Sequence, residues 1–326
     1  HLGSGRARRV EEFAGLDLVL TTYGTLRQDV EFLASVPFHY VILDESQAIK
    51  NADTSTAKCA RALRADHRLA MTGTPVENRL ADLFSQFQFL NPGLFGSDTF
   101  LSRISRNAGL AASDAAAIGR ALRPLILRRT KAQVVKELPP KTEQTLFCEL
   151  GEEQRREYDR LRDYYRDQLT SEGGAGQMAV LEALLRLRQV ACHAGLVSAV
   201  GENVPSAKLD LLLTELETLR EEGRKALVFS QFTGLLRRVE AELQTLGTGY
   251  CYLDGGTRDR GEVVRQFQED ARMKVFLISL KAGGVGLNLT AADTVFLLDP
   301  WWNPAAEAQA IDRTYRIGQD QPVFAY

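Results

Sequence analysis

The most constraining feature of this sequence is a series of short apolar runs, each of which stops abruptly at polar, glycine or proline residues. In the first third of the chain these runs are Leu16–Leu20, Tyr40–Leu43 and Arg68–Met71. Continuous apolar runs of this length are typical of strands that are buried on both faces of a parallel sheet. Helical stretches lie between them, so the sequence predicts an α/β fold.

The same alternation returns more regularly after residue 206. Ser206 is a good N-cap for a helix that presents a leucine face and ends at Gly223. Further helices are predicted at Leu235–Leu246, Arg258–Glu269 and Ala305–Arg316, and strands at Ala226–Phe229, Tyr250–Leu253, Val275–Ile278, Thr294–Leu298 and Val323–Ala325. Five strands that alternate with helices predict a doubly wound parallel sheet.

The segment between these two regions is predicted to be mostly helical. Helical spacing covers Ala81–Leu90, Glu152–Leu169 and Met178–Val190. Leu138-Pro139-Pro140 predicts a rigid, extended break that would suit a domain linker. The predicted organisation is therefore an α/β region at 1–80, a helical region at 81–200 and a second α/β region at 201–326.

Length and charge narrow the class of protein. The 326 residues suggest about two domains. Forty Lys and Arg against 42 Asp and Glu give a net charge of -2, so a nucleic-acid surface would have to be a local patch. The four cysteines lie far apart without a C-x-x-C pair, which argues against a zinc cluster. Four reduced thiols favour a cytoplasmic location. No apolar run approaches the roughly 18 residues of a membrane span, so no membrane partner is expected.

Two acids, Asp44 and Glu45, directly follow the second apolar run. A hydrophobic strand that ends in two acids suits hydrolysis of a nucleoside triphosphate. One carboxylate holds Mg²⁺ through water, and the next polarises the attacking water. A strand that ends in two solvated acids has the same pattern, so this motif alone leaves both interpretations open.

A polar turn, Thr72-Gly73-Thr74-Pro75, follows the third apolar run. Hydroxyl groups, a glycine and a proline make a fixed turn at the edge of the sheet where ligands bind. Such a turn can sense the phosphate end of a nucleotide and pass the signal to a second domain. An ordinary turn is the alternative interpretation.

A glycine-rich segment, Ser279–Leu289, follows a predicted strand in the last third of the chain. Its glycines at positions 283, 284 and 286 allow the backbone to approach a phosphate closely. The spacing G-G-x-G differs from the G-x-G-x-x-G of dinucleotide-binding proteins, and no helix is predicted directly after it. A phosphate contact is therefore favoured over a dinucleotide site.

The segment Gln309–Gln319 contains Arg313 and Arg316. On the predicted helix these two residues are three apart, so both guanidinium groups would leave the same face. A pair of arginines suits the charge that spreads over a transferring γ-phosphoryl group. A solvated arginine face with Asp312 as its partner is the alternative.

Taken together and in this order, these motifs resemble those of the Swi/Snf-type ATPases of helicase superfamily two. The resemblance covers essentially the whole chain, and the motifs look most like those of the bacterial branch of the family. Asp44–Gln47 resembles motif II, Thr72–Pro75 motif III, Lys225–Phe232 motif IV, Ser279–Leu289 motif V, Gln309–Gln319 motif VI and Asp299–Pro304 the family's Asp/Trp-Asn-Pro element. Leu127–Lys131 and Leu187–His193 are similar to family landmarks in the helical middle.

The resemblance implies two RecA-like, doubly wound lobes with helical protrusions between them, the first lobe being incomplete. It implies a translocase that uses ATP and Mg²⁺ to move along double-stranded DNA without separating the strands. Such an engine would be associated with the nucleoid in a bacterium. The expected contacts with DNA lie along the backbone, which gives sequence-independent, salt-sensitive binding.

The resemblance also assigns roles to individual residues. Asp44 would hold Mg²⁺ through water, Glu45 would activate water, and Arg313 and Arg316 would be arginine fingers. Expected ATP contacts are Gly284, Gly286, Asn288 and Gln309; the expected coupling turn is Thr72, Gly73 and Thr74; and the expected DNA contacts are Thr22, Gln231, Ser279, Lys281, Arg128 and Arg129. The two arginines 128 and 129 belong to a run, residues 120–136, with six basic residues and no acid before Glu137. A solvated helical face is the alternative interpretation of that run.

The largest departure of the sequence from the family is that it contains no G-x-x-x-x-G-K-[ST] segment; a milder one is Ser46, where relatives often have another small residue. Family members carry this phosphate-cradling loop upstream of motif II. Two interpretations follow: a fragment of a translocase, or a binding module derived from one that grips DNA or a partner such as RNA polymerase. A strand-separating helicase is a third, which the Arg316-Ile317-Gly318-Gln319 ending disfavours.

The missing loop generates a first prediction. Without its backbone N–H groups and lysine, nothing cradles the β- and γ-phosphates. The purified 326-residue chain should therefore bind ATP weakly and release phosphate at a negligible rate, measured with and without duplex DNA. Turnover of about 1 s⁻¹ or more, an ordinary enzymatic rate, would contradict this expectation.

Overall fold

Two parallel sheets organise the residues that the structure describes. The structure is a computed structural model, and it describes residues 13, 15–73, 80–95, 118–170, 176–282, 286–302 and 304–326. The chain divides into two compact units, His1–Arg128 (unit 1) and Arg129–Tyr326 (unit 2).

Unit 1 is built on two parallel strands. Its elements include strands β1 (Pro37–Leu43) and β2 (Arg64–Ala70) and helices α1 (Tyr23–Gln28), α2 (Val30–Leu33), α3 (Ser55–Ala62) and α4 (Leu80–Leu90). The strands pair in parallel from Pro37 opposite Arg64 to Leu43 opposite Ala70. Both predicted strands are confirmed, and their carboxyl ends meet at one edge of the sheet.

The core of unit 1 lies on one face of this sheet. Val41 and Leu43 of β1 are buried there with Ile49 and with residues of the helices, including Leu26 and Phe89. Side chains of a strand alternate between faces, so the neighbouring residues of β1 and β2 point the other way. That second face is apolar and exposed, and it carries Tyr40, Ile42 and Leu69.

The predicted strand at Leu16–Leu20 is wrong. This run has no strand conformation, and the Leu20 side chain is 79% exposed. A strand requires a neighbour that accepts and donates ladder hydrogen bonds. Among the described residues of unit 1, β1 and β2 pair only with each other. Apolar character alone is therefore not enough to make a strand here.

Unit 2 contains a six-stranded parallel sheet. Its strands are β3 (Lys141–Glu143), β4 (Ala226–Ser230), β5 (Gly249–Leu253), β6 (Met273–Ser279), β7 (Thr294–Leu297) and β8 (Val323–Ala325), in the spatial order β3-β8-β7-β4-β6-β5. The five predicted strands of this region are confirmed. Because β4 lies in the middle, the chain crosses from one side of it to the other, as in a doubly wound sheet.

The sequence did not predict β3. This strand begins directly after Leu138-Pro139-Pro140, which was expected to be a linker. The backbone carbonyl of Pro140 instead accepts a hydrogen bond from the Val323 N–H (2.9 Å), and the Gln144 N–H donates to the Ala325 carbonyl (2.9 Å). The β3 residues are polar and exposed, because an edge strand has one neighbour and little burial.

Helices cover both faces of the unit 2 sheet. The helices of unit 2 are α5 (Lys131–Val134), α6 (Glu152–Thr170), α7 (Gln177–Cys192), α8 (Ala207–Glu221), α9 (Thr233–Thr245), α10 (Arg260–Glu269) and α11 (Pro304–Ile311). Of these, α8 to α11 contribute side chains to the two apolar clusters of the sheet. Val228 belongs to the apolar cluster under α8 and α9, whereas Leu227 and Phe229 belong to the cluster that includes Phe267 of α10. This alternation along β4 is the direct signature of a strand buried on both faces.

The predicted helices at Glu152–Leu169 and Met178–Val190 are confirmed by α6 and α7. They pack against each other, and the buried Gln154 side chain donates to the Val190 carbonyl (2.8 Å). Among the described residues, no helix combines the length and apolarity that crossing a membrane requires.

The close approach of β5 to the turn before β6 generates a second prediction. A Cβ atom on Gly249 would lie 2.2 Å from the Arg272 carbonyl oxygen, so Gly249→Ala should destabilise unit 2 by about 1–3 kcal/mol. The matched control is Gly255→Ala, which meets nothing within 4 Å and should change stability by less than about 0.5 kcal/mol. Urea unfolding followed by tryptophan fluorescence measures both, because the chain's two tryptophans lie in unit 2. Equal stability of the two variants would contradict the prediction.

Candidate functional site

The acid pair lies at the carboxyl edge of the unit 1 sheet. Asp44 follows the last residue of β1 and is exposed, and Glu45 is half-buried. The Glu45 N–H donates to Asp44 Oδ1 (2.9 Å). On the other side, the Tyr23 hydroxyl donates to the Asp44 backbone carbonyl (2.8 Å). The peptide group between Asp44 and Glu45 is therefore held at both its carbonyl and its N–H. This fixes the backbone that carries the two carboxylates.

Glu45 adopts a left-handed backbone conformation, with φ 47° and ψ 51°. Among the described residues it is the only one other than glycine with a positive φ. Residues other than glycine avoid this region because of steric crowding of their Cβ. The turn redirects the chain from β1 into a short 3₁₀ helix, Ser46–Ile49.

A chain of hydrogen bonds joins this acid to the predicted coupling turn. The Gln47 side-chain nitrogen donates to Glu45 Oε2 (2.7 Å), and the Thr72 hydroxyl donates to Gln47 Oε1 (2.8 Å). The Ser46 N–H also donates to the Met71 carbonyl (2.9 Å). Thr72 is therefore within two hydrogen bonds of the Glu45 carboxylate. The role of Gln47 as the bridge was not predicted from the sequence.

Tyr23 is the second residue that sequence reasoning missed. Burial raises its pKa to about 12, with a further contribution from the charges of Asp44 and Glu45. The phenol therefore stays protonated, and remains a hydrogen-bond donor, at any physiological pH. Its position in the sequence, directly after Thr22, gives no indication of this contact.

The carboxyl ends of the central strands β4 and β6 form the corresponding edge in unit 2. Ser230 of β4 lies opposite Ser279 of β6, and the Leu280 N–H donates to the Ser230 carbonyl (3.0 Å). This pairing brings Gln231, Ser279 and Lys281, three of the predicted DNA contacts, to neighbouring positions. Ser279 is buried, whereas Lys281 is exposed.

A buried carboxylate, Asp299, organises this edge. Only 1% of its surface is exposed, and burial raises its pKa above the ordinary value. It accepts hydrogen bonds from the Ser230 hydroxyl and, at 3.2 Å, from the Gln231 N–H. In the sequence, Asp299 stands out only as part of the Asp/Trp-Asn-Pro element. The signal that could have identified it is an acid directly after a buried apolar strand.

Helices α6 and α7, which pack against each other, form a helical hairpin, and a residue of this hairpin holds the segment after Asp299. Arg188 of α7 donates to the Pro300 carbonyl, and its guanidinium group lies 5.4 Å from the centre of the Trp302 ring. Lys208 of α8 donates to the Leu298 carbonyl (2.8 Å). The strand end, the loop and the helical hairpin of unit 2 are therefore connected through polar contacts.

The two arginines do not share a helical face, contrary to the sequence-based expectation. Helix α11 ends at Ile311, and residues 312–316 form successive turns. Arg313 is 5% exposed, whereas Arg316 is exposed and donates to the Leu287 carbonyl (3.3 Å). The roles assigned to these arginines stay predictions, and so does that of Gln309 on α11.

The segment that follows α11 contacts the loop at 287–292. The Arg313 N–H donates to the Ala310 carbonyl (3.2 Å), an i→i−3 bond, and the Leu289 N–H donates to the Arg313 carbonyl (3.0 Å). The buried Gln319 side chain donates to the carbonyls of Ala292 (2.8 Å) and Thr290 (3.2 Å). Asn288, a predicted ATP contact, lies in the same loop, and Gly286 precedes it with φ 43°.

The remaining predicted residues have varied surroundings. Thr22 caps α1, because its hydroxyl accepts the Thr25 N–H (3.1 Å). Arg128 and Arg129 are exposed, as is Gly73. Lys131, from the same basic run, forms an ion pair with Asp312 (2.7 Å) instead of facing solvent freely. Thr74 and Gly284 lie outside the described residues.

The donor set at Asp44 fits a magnesium ion. Mg²⁺ keeps several waters and binds through one or two carboxylates together with substrate phosphates. The exposed Asp44 carboxylate at the strand end, with Glu45 beside it, provides this kind of site. Among the described residues, no group of three or more His, Cys, Asp or Glu is placed to hold a metal ion.

Comparison with known proteins agrees with this arrangement of motifs. The SNF2-related domain family matches residues 4–196, and the helicase conserved C-terminal domain matches residues 207–318. A putative ATP-dependent helicase/translocase of Bacillus subtilis, YwqA, is 37% identical over 96% of this chain and 35% of its own length. A human SWI/SNF-related, matrix-associated, actin-dependent regulator of chromatin (subfamily A member 1) is 34% identical over 95% of this chain and 31% of its own length.

A solved structure also matches. The Sulfolobus solfataricus SWI2/SNF2 ATPase core in complex with double-stranded DNA has a TM-score of 0.51 and 32% identity, covering 95% of this chain and 67% of that one. The chain therefore belongs to the SNF2-related, Swi/Snf-type family of ATP-dependent helicase-like proteins, and its two sheets are those of RecA-like lobes. It spans about a third of the length of the curated relatives that it matches.

The buried carboxylate generates a third prediction. Asp299→Ala leaves the Ser230 hydroxyl and the Gln231 N–H without their acceptor, which should destabilise unit 2 by about 2 kcal/mol. Asp299→Asn should cost less, because the amide oxygen still accepts and no charge is buried. Urea unfolding followed by tryptophan fluorescence measures the effect. The control is Asp320→Ala, which changes an exposed acid of the same unit. Equal stability of the Asp299→Ala and Asp320→Ala variants would show that the hydrogen bonds of Asp299 do not stabilise unit 2.

Proposed function

We propose that this chain is part of a DNA-dependent ATPase that moves along double-stranded DNA. Asp44 holds Mg²⁺ through water, and Glu45 polarises the water that attacks the γ-phosphate. The metal, when bound, neutralises charge on the phosphates. Arg313 and Arg316 stabilise the negative charge that develops on the γ-phosphoryl group during its transfer. The nucleotide site also includes Gly284, Gly286, Asn288 and Gln309.

The observation that carries this proposal is the hydrogen-bonded path from Glu45 through Gln47 to Thr72. A strand that merely ended in solvated acids would have no need to link one of them to the next strand end. The path gives the Thr72–Gly73–Thr74 turn a means to respond to the state of the acid. It is the arrangement expected if hydrolysis in this lobe is communicated to another part of the protein.

Double-stranded DNA is the proposed substrate along which the protein moves. Support comes from the SWI2/SNF2 ATPase core whose structure contains double-stranded DNA, and from the polar edge of unit 2 where Gln231, Ser279 and Lys281 meet. Together with Thr22, Arg128 and Arg129, the side chains of Gln231 and Lys281 offer hydroxyl, amide and cationic groups. Such groups bind phosphates and carry no base-specific information. Binding should accordingly be independent of sequence and weaken steeply with salt.

The fourth prediction tests this function in the complete product of the gene that encodes these residues. That protein should hydrolyse ATP faster when duplex DNA is present. Glu45→Gln should lower kcat by about a hundredfold or more and leave the KM for ATP little changed, because an amide cannot take the proton of the attacking water. Phosphate release at fixed ionic strength is the measurement.

Glu31→Gln is the matched control, since Glu31 is an exposed glutamate of the same unit on α2. It should leave kcat unchanged. Full activity of the Glu45→Gln protein would remove Glu45 from the mechanism. A complete gene product that binds duplex DNA without hydrolysing ATP would contradict the proposal and favour a binding module. Separation of a tailed duplex would identify a strand-separating helicase instead.

A further inference from the structure

The left-handed backbone of Glu45 requires an explanation that the proposed chemistry does not provide. The residue sits at φ 47°, a conformation that costs free energy for any side chain with a Cβ. Such conformations persist only where the surroundings over-determine them, and they concentrate at functional sites. The contacts that hold this backbone are therefore part of the site.

The two peptide planes that flank Glu45 are each held by a hydrogen bond from another element. The plane between Asp44 and Glu45 is held at its carbonyl by the Tyr23 hydroxyl (2.8 Å). The plane between Glu45 and Ser46 is held at its N–H by the Met71 carbonyl (2.9 Å). Since φ and ψ of one residue describe how its two peptide planes are rotated, these contacts together fix the conformation of Glu45.

Only one of these two clamps comes from a side chain. The Met71 carbonyl continues the backbone pairing of the sheet, in which the Met71 N–H donates to the Leu43 carbonyl (2.8 Å), so any sequence with this fold could supply it. The Tyr23 hydroxyl is specific to the residue. Tyr23 packs against the core of unit 1 and lies on α1, which is anchored there by the buried Leu26. Its ring therefore carries the hydroxyl on a rigid support.

We infer that Tyr23 is a positioning residue that holds Glu45 in its left-handed conformation and so aims the carboxylate. The inference rests on the proposed function for its catalytic consequence, but the structural part stands on the geometry alone. Tyr23 does not touch the reacting atoms. It acts through the Asp44 carbonyl, while Gln47 restrains the Glu45 carboxylate from the other end.

The fifth prediction distinguishes this role from a merely structural one by its dependence on residue 45. Tyr23→Phe keeps the packed ring and removes the hydroxyl. It should raise the opening equilibrium that exposes the Ser46 amide to exchange by about tenfold, the equivalent of one hydrogen bond. Glycine adopts a positive φ without strain, so in the Glu45→Gly background the same change should have less than about a threefold effect. Hydrogen exchange measured by NMR reports the Ser46 amide directly.

Glu45→Asn provides a second relaxed background, because asparagine tolerates the left-handed region better than glutamate does. Tyr40→Phe is the matched control. Tyr40 lies on β1 in the same unit with 54% of its surface exposed, and its ring contacts the rings of His39 and His67. It should leave Ser46 exchange unchanged in every background. An equal effect of Tyr23→Phe with glutamate, glycine or asparagine at position 45 would overturn the inference.

The catalytic consequence has its own readout. In the complete gene product, Tyr23→Phe should lower kcat about tenfold with the KM for ATP unchanged, because the acid is misdirected while the nucleotide contacts remain. The Tyr23→Phe protein could keep full kcat although Ser46 exchange shows the expected dependence on residue 45. Tyr23 would then hold only the backbone, and its role in positioning the acid for catalysis would be overturned. If the complete gene product hydrolyses no ATP at all, the proposed function fails, while the Ser46 exchange still decides whether Tyr23 holds Glu45.

Discussion

The pairing of Leu43 with Ala70 is the contact on which the candidate site depends. Two parallel strands end at the same edge of a sheet, so the residues that follow them become neighbours although they are far apart in sequence. Asp44 to Gln47 and Met71 to Thr72 meet for this reason alone. The apolar side chains of β1 that face the core fix the register, because a slip by one residue would expose Val41 and Leu43.

Unit 2 uses the same constraint with a larger sheet and a different kind of polar support. The buried strand β4 delivers Ser230 and Gln231 to its carboxyl end, and β7 delivers Asp299 beside them. A buried carboxylate is tolerated there because it accepts hydrogen bonds from a hydroxyl and a backbone N–H. Loops at this edge are held by hydrogen bonds that originate from strands, from α7 and from the Gln319 side chain. Their geometry is thus specified by buried polar groups in addition to apolar packing.

How much of this could be predicted from the sequence follows from which interactions are local. Buried strands such as β4 and β6 can be predicted, because a strand that is buried on both faces has a continuous apolar run in its sequence. The edge strand β3 does not, since its formation depends on backbone pairing with β8, and its residues are polar. The apolar run at Leu16–Leu20 fails for the converse reason, having no described neighbour to pair with. The contact between the Leu289 N–H and the Arg313 carbonyl, just after helix α11, is likewise not a local pattern, because it joins positions 24 residues apart.

The same distinction applies to the site. The location of Asp44, Glu45 and Thr72 at the sheet edge could be predicted, because a strand end, an acid pair and a hydroxyl turn are local patterns; their roles stay predictions. Tyr23 and Gln47 could not, since their importance lies in what they touch: a backbone carbonyl 21 positions away and a hydroxyl 25 positions away. In the proposed mechanism, these supporting contacts are what separates a catalytic carboxylate from a solvated one. The acids would specify which chemistry is available, and the tyrosine, the glutamine and the left-handed turn would fix the direction of the Glu45 carboxylate.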